Sequence, residues 1–298
     1  MTATFRSYTA EPGFTGDYHR VRDFLVRVNE PVPAAPGFHW GRWEWGFSLP
    51  YLDTATLSSI GVWEDEGQIV ALMAYEQSLG YAWPVVDGRY GGLKPDMLRH
   101  ARDRMAKDGS VKVLITDGDR EFQQAAWQMG FRATQEKENN AVLEVTPEAV
   151  SYTLPEGYRI VSLADQFDMG KYNAVLWRGF NHGDHPPETA EALEERRISV
   201  SGPSVDLSLK VAVEAPDGQF VSFCGMWYQP GTENALVEPV ATDPRYRRMG
   251  LGRAAVLEGV KRCGQLGAKR AFVGSSQQFY YGIGFAPHST ETFWELKV

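Results

Sequence analysis

Apolar and polar positions change period several times along the chain, most sharply in its second half. "GYRIVSLAD" (157–165) has the alternation of a strand, while "QFDMGKYNAVLWRGF" (166–180) carries a helical stripe. "PPETAEALEERRISV" (186–200) predicts a second helix, opened by prolines and acids. "DLSLKVAVEAPDGQFVSFCGMWY" (206–228) is two β-branched, apolar runs joined at Pro216-Asp217-Gly218, which predicts a hairpin. "NALVEPVAT" (234–242) predicts a strand, and a helix follows from about Gly250 to Leu266, stopped by Gly267. "AKRAFVGSS" predicts a buried strand, "QQFYYGIG" a short helix and "FAPHSTETFWELKV" a closing strand.

The first half repeats this order with weaker signals. "VWEDEGQIVALMAYEQ" matches the hairpin, "YAWPVVDGRYGG" the strand and glycine turn, and "LKPDMLRHARDRMAK" the helix. "VKVLITDG" and "REFQQAAWQMGFRATQ" match the later strand, helix and return. Gly67 precedes Gly130 by 63 residues and Gly218 precedes Gly284 by 66, so the two halves are expected to be copies of one fold. The expected join is "TPEAVSYTLPEG" (146–157), giving domains 1–150 and 151–298. "NEPVPAAPGFHWGRWEWGF" (29–47) has no counterpart in the second half, and its prolines predict a loop. Trp40, Trp43 and Trp45 there suit apolar packing between domains or a wall over a ligand, with packing the expectation.

Composition changes the picture in one place. The net charge is −8, yet Arg245 to Arg270 holds eight basic residues against one acid, Glu258. The basicity is therefore local and predicts a docked anion. A nucleic-acid surface is excluded by the acidity elsewhere and by the absence of stacking or helix-turn-helix signals. No apolar run is long enough for a membrane span, and the N-terminus lacks the pattern of a signal peptide, which points to the cytoplasm. Cys224 and Cys263 form no metal or redox spacing. Cys263 shares a helical stripe with Val256 and Val260 and is expected in the core.

"ATDPRYRRMGLGR" (241–253) places arginines beside two glycines where a strand gives way to a helix. Backbone N–H groups at a helix start are unpaired and carry partial positive charge, and glycine lets an anion approach them. The run is neither a Walker loop nor a dinucleotide fingerprint. With "FYYGIGF" downstream, it resembles the GNAT superfamily of acyl-CoA N-acyltransferases, whose signature is [QR]-x-x-G-x-[GA] followed by F-Y-x-x-x-G-F. Arg247, Gly250 and Gly252 match the first element, and Phe279, Tyr280, Gly284 and Phe285 the second. The resemblance covers about 157–298.

This resemblance implies an α/β fold of two tandem GNAT-like domains, each a mostly antiparallel mixed sheet with a splayed strand pair flanked by helices. It implies that Val240, Ala241 and Thr242 border the splay and pair with pantetheine amides of acetyl-CoA. Arg247, Arg248, Met249, Gly250, Leu251, Gly252 and Arg253 would wrap the pyrophosphate, with Phe279 beside them and Arg248 or Arg253 adding charge. Arg245 either reaches the adenosine phosphate or faces solvent. Tyr280 takes the place of the acid that protonates the leaving thiolate, with Tyr281 adjacent. Glu238, two residues before Val240, is expected on the same strand face as a base, or as a carboxylate paired with an arginine. The implied reaction is N-acetyl transfer to a primary amine of a small, cationic acceptor by direct attack in a ternary complex. The alternative is an acyl-CoA-binding sensor or scaffold without turnover. The expected partners are a small-molecule amine, no nucleic acid and no membrane, with room for a homo-oligomer.

His182, Asp184 and His185 sit in the "WRGFNHGDHPPE" connection between two helices, where contact with the amine or a solvated turn is expected, and no metal. The first copy looks silent. "GRYGGLK" (88–94) has Lys94 where Gly252 would fall, and "AAWQMGF" has Ala126 where Tyr280 would fall. It is expected to be a degenerate domain that scaffolds the other.

Overall fold

The computed structural model describes residues 3–30 and 38–298. The chain forms two compact units, residues 1–140 with 288–298, and residues 141–287. In chain order the first copy contains β1 (Thr4–Ser7), α1 (Gly16–Val28), α2 (Trp40–Phe47), β2 (Gly61–Asp65), β3 (Gln68–Ala74), β4 (Tyr81–Val86), α3 (Lys94–Arg104), β5 (Ser110–Thr116), α4 (Arg120–Gln128) and β6 (Arg132–Glu144). The second contains β7 (Arg159–Ser162), α5 (Met169–Gly179), α6 (Ala190–Ile198), β8 (Lys210–Glu214), β9 (Phe220–Tyr228), β10 (Asn234–Thr242), α7 (Leu251–Gln265), β11 (Arg270–Val273), α8 (Gln278–Tyr281) and β12 (Ala286–Lys297).

Each unit is a mixed sheet flanked by helices. In the first the strand order is β1-β2-β3-β4-β5-β12 followed by residues 132–140 of β6, with β4 and β5 parallel. In the second, residues 141–144 of β6 are followed by β11-β10-β9-β8-β7, with β10 and β11 parallel. The closing strands are therefore exchanged relative to chain order. β12, the end of the second copy, pairs with β5 from Glu291↔Thr116 to Lys297↔Ser110. The end of β6 pairs with β11 from Ala141↔Val273 to Glu144↔Arg270. The sequence copies 1–150 and 151–298 thus differ from the compact units by β12 in one direction and by the end of β6, with the residues up to 150, in the other.

The repeat shows in backbone detail. Gly67, Gly130, Gly218 and Gly284 all have positive φ, at 79°, 93°, 81° and 111°, where a side chain would be strained. In both copies the residue after the second glycine donates its N–H back into the short helix before it, Phe131 to Ala126 at 3.0 Å and Phe285 to Tyr280 at 3.1 Å.

β8 and β9 are buried along their whole length because both sheet faces are covered. α5 packs Tyr172, Val175 and Leu176 on one face with Ala212, Phe220 and Phe223. α7 packs Leu251, Val256, Val260 and Cys263 on the other with Cys224, Met226 and Val237.

One expectation needs correcting. Pro31, Pro33 and Pro36 lie outside the described residues, but the rest of the proline-rich segment is not a loop: Trp40–Phe47 is helix α2, the counterpart in order of α6. Its N-cap is His39, whose Nδ1 accepts from the Gly41 N–H at 2.9 Å. Burial, then the nearby Arg42 charge, lowers that imidazole to about 3, so it stays neutral and able to accept. The prolines obscured a helix that a histidine caps and an aromatic face holds. Trp43 packs on Phe47, Tyr8 and Tyr18 at 4.4, 5.7 and 6.0 Å between ring centroids.

Candidate active site

β10 and β11 stay paired only over Asn234–Leu236 and Arg270–Phe272. Beyond Leu236, β10 follows β9 as far as Thr242↔Ser222. The register shifts on the way: Val237 faces Met226 and Val240 faces Cys224, so three steps on β10 match two on β9. Val240 therefore shares a sheet face with Val237, and the alternation expected to place Glu238 beside Val240 is broken by the bulge. The Glu238 carbonyl accepts from Trp227 Nε1 at 2.9 Å.

From the end of β10 the chain turns through Pro244–Tyr246, capped by Asp243, which is 1% exposed and accepts from Arg245 N at 3.0 Å. Arg248 and Gly250 then take left-handed φ of 63° and 81°. α7 begins at Leu251 with no side chain capping it. Its first N–H groups therefore face outward at the positive end of a fifteen-residue helix. The two glycines act differently. Gly250 supplies the left-handed turn, with nothing within 4 Å of where a Cβ would sit. Gly252 supplies room, since a Cβ there would lie 3.0 Å from Thr242 Oγ1 and 3.4 Å from Phe279 Cζ.

These segments enclose a cavity of ≈ 830 Å³ in the second unit. Val240, Ala241, Thr242, Arg247, Arg248, Gly250, Leu251, Gly252, Arg253, Phe279 and Tyr280, all singled out from the sequence, line it. Glu238 and Met249 are not among its lining residues, and Met249 is 40% exposed. The sequence did not single out Gly179, Phe180, Asn181 or Gln277 as part of this wall. The one signal for the first three was that "WRGFN" opens the connection between two helices.

The arginines divide into two pairs. Arg245 is held by Asp243 through Nε at 3.0 Å and Nη2 at 2.6 Å. Arg247 donates from Nε to the Thr242 carbonyl at 3.2 Å and from Nη2 to the Gly179 carbonyl at 3.0 Å and Asn181 Oδ1 at 3.1 Å. Arg248 and Arg253 are exposed, and Arg253 has one long contact, to the Ser151 carbonyl at 3.4 Å. These are the two guanidinium groups left to meet an anion.

Tyr280 sits on α8, 7% exposed, between Phe279 and Phe285 at 5.0 and 5.7 Å. Burial pushes its phenol well above the ordinary tyrosine range, and the Glu238 carboxylate adds to the shift. Glu238 is thus within electrostatic reach of the phenol although it does not line the cavity. Tyr281 packs partly buried against the core of the same unit. The His182 ring lies tilted against Trp177 at 5.1 Å between centroids, and the Asp184 carbonyl accepts from Arg178 at 3.1 Å. Among the described residues no group of three His, Cys, Asp or Glu is placed to hold a metal ion, and no helix is long and apolar enough to cross a membrane.

The matching segment of the first unit is arranged differently. Residues Gly88–Leu93 form a 3₁₀ turn capped by Asp87, and Asp87 holds Arg89 at 2.9 and 3.1 Å and Arg27 at 2.9 Å. Lys94 Nζ is bound to Asp119 at 2.8 Å. Ala126 is buried where the second copy has Tyr280, and Trp83 precedes Pro84 as Glu238 precedes Pro239.

The mixed sheet thus splays at a parallel strand pair, with an uncapped helix start and a buried phenol lining the cavity beside it. Residues 176–285 match the family profile described as "Acetyltransferase (GNAT) family", and this segment is a GNAT domain. A tandem GNAT protein from the clavulanic acid biosynthesis pathway superposes with a TM-score of 0.64 at 14% identity, over 99% of this chain and 98% of that one. A GCN5-related N-acetyltransferase from Sphaerobacter thermophilus gives 0.57 at 15%, over 99% and 95%. N-myristoyltransferase from Saccharomyces cerevisiae, with bound myristoyl-CoA and inhibitors, gives 0.56 at 12%, over 99% and 80%. The whole chain therefore has the tandem GNAT fold. No curated protein matches it by sequence.

Proposed function

We propose that this chain is an acetyl-CoA-dependent N-acetyltransferase, with residues 151–298 the catalytic domain and 1–150 a degenerate copy. The carrying observation is that one cavity holds both an uncapped helix start and a buried phenol. The left-handed turn at Arg248 and Gly250 and the close packing at Gly252 leave backbone N–H groups of α7 for the pyrophosphate, with Arg248 and Arg253 adding charge. Val240–Thr242, unpaired from β11, lie where pantetheine amides would extend the sheet.

The amine nitrogen attacks the thioester carbon, and negative charge gathers on its oxygen beside the backbone at Val240. Collapse breaks the C–S bond, the electron pair leaves with sulfur, and Tyr280 gives the thiolate its proton. The proton lost by the amine passes to water, and water returns a proton to the Tyr280 phenolate, which lies within electrostatic reach of Glu238. Burial keeps Tyr280 protonated at neutral pH. The acidic balance of the chain favours a small cationic amine in the cytoplasm as the substrate.

The test is Tyr280→Phe, assayed with acetyl-CoA and an amine panel. We expect turnover to fall about 100-fold while acetyl-CoA affinity is kept. Unchanged turnover removes the acid role. An unmodified chain that binds acetyl-CoA but consumes none with any amine is a sensor or scaffold.

A further inference from the structure

Arg247 occupies the first position of the arginine-glycine motif, yet its guanidinium is bonded to the end of β10 and to the chain at and just beyond the end of α5. Three acceptors converge on it: the Thr242 carbonyl at the end of β10, the Gly179 carbonyl at the end of α5, and Asn181 Oδ1. Below this fork the two segments are pressed together. A Cβ on Gly179 would lie 2.6 Å from Ala241 Cβ and 3.0 Å from Thr242 N. Beyond the fork, Asn181 takes a left-handed φ of 61°, which swings the chain off the helix axis so that Phe180 and Asn181 line the cavity. Phe180 remains 44% exposed, so its own burial does not hold the wall in place.

We propose that Arg247 is a positioning residue. It fastens residues 179–181 to the end of β10 as a wall of the cavity, and does not serve as a ligand of the anion. The proposal rests on the acyl-CoA reading of this cavity. In that reading the thioester oxygen lies at Val240, next to Ala241 and Thr242, so the fastened segment bounds the reacting end and an entering amine passes it. His182, Asp184 and His185 follow directly in the chain. The planar fork meets the Thr242 carbonyl from Nε and the Gly179 carbonyl and Asn181 from Nη2, a span between two nitrogens that a single ammonium nitrogen lacks.

The experiment compares Arg247→Ala, Arg247→Lys and Asn181→Ala in the full chain. Three readouts are taken: chymotryptic cleavage at Phe180, affinity for CoA, and the amine KM. Expected is cleavage at Phe180 accelerated about tenfold in both Arg247 variants and less in Asn181→Ala, with amine KM raised and CoA affinity changed less than about threefold. Arg247→Lys keeps the charge but loses the fork, so it behaves as Arg247→Ala. If Lys instead restores CoA affinity that Ala loses, with cleavage at the native rate, Arg247 is an anion ligand and the proposal is wrong. Asn181→Ala removes one surface contact and reports on the anchor even if Arg247→Ala does not fold. Cleavage needs no turnover, so an inactive wild-type chain would overturn the acetyltransferase reading while leaving the anchor measurable.

Discussion

Gly250 and Gly252 stand two residues apart and answer to different constraints, so their substitutions should fail differently. At Gly250 the surroundings are open and φ is 81°, so alanine costs about 1–2 kcal/mol of backbone strain, and asparagine less. At Gly252 the backbone is ordinary and the neighbours are close, so Gly252→Ala pushes Thr242 and Phe279 apart. Urea melts should rank Asn above Ala at Gly250, and Gly252→Ala should weaken CoA affinity more than stability. Equal effects at both positions would show that space at Gly252 is not limiting.

Glu291 in the first unit carries a different prediction. It is 4% exposed and accepts from Asn140 at 3.1 Å and Thr116 at 3.4 Å. Burial, then the Glu138 charge, raises its carboxyl from 4.5 to about 7, against the opposing pull of Arg42 and those hydrogen bonds. The folded state then holds a proton that the unfolded state has released, so stability falls as pH rises from about 4.5 to about 7. Glu291→Gln should remove that slope and gain up to about 3 kcal/mol over wild type at pH 8. Parallel stability-pH curves for the two proteins would contradict the assignment.

At the scale of elements, the signals that were legible in sequence were the local ones. The boundaries of β10 coincide with "NALVEPVAT", and the hairpin turns at Gly218, because alternation and turn residues act over a few positions. What was hidden depends on distant partners. The bulge at Glu238–Pro239 exists through pairing with β9, and helix α2 through aromatic partners supplied by Tyr18 of α1 and by Tyr8 just after β1. The exchange of closing strands was hidden most completely, since "FAPHSTETFWELKV" reads as the same strand whichever neighbour it joins. It is also the easiest to test. β12 brings Phe293 against Tyr81 and Trp83 at 5.2 and 5.8 Å, and its carbonyl accepts from Thr134 at 2.9 Å. A chain ending at residue 287 should be cut by protease first within 1–140 while 141–287 resists. Preferential loss of 141–287 would refute the assignment of β12 to the first unit.

For the whole molecule, the proposed function amounts to one working site in two copies of a fold. In the second copy Arg248 and Arg253 are left for a ligand. In the first, Arg89 is held by Asp87 and Lys94 by Asp119, and Ala126 replaces the phenol. Motif chemistry made this asymmetry visible from the sequence, because a missing glycine or hydroxyl is a matter of residue identity alone. The roles of Arg245 and Arg247 were not visible, since nothing local shows where a guanidinium will turn. A fragment cut at residue 150 would lack β12, so the comparison of the copies belongs in the full chain. The most direct measurement is calorimetric titration of that chain with acetyl-CoA, alone and with Arg248→Ala and Arg253→Ala combined. The account predicts one site per chain, weakened about tenfold or more in the double variant. Two sites per chain, or one site with unchanged affinity in the double variant, would contradict it.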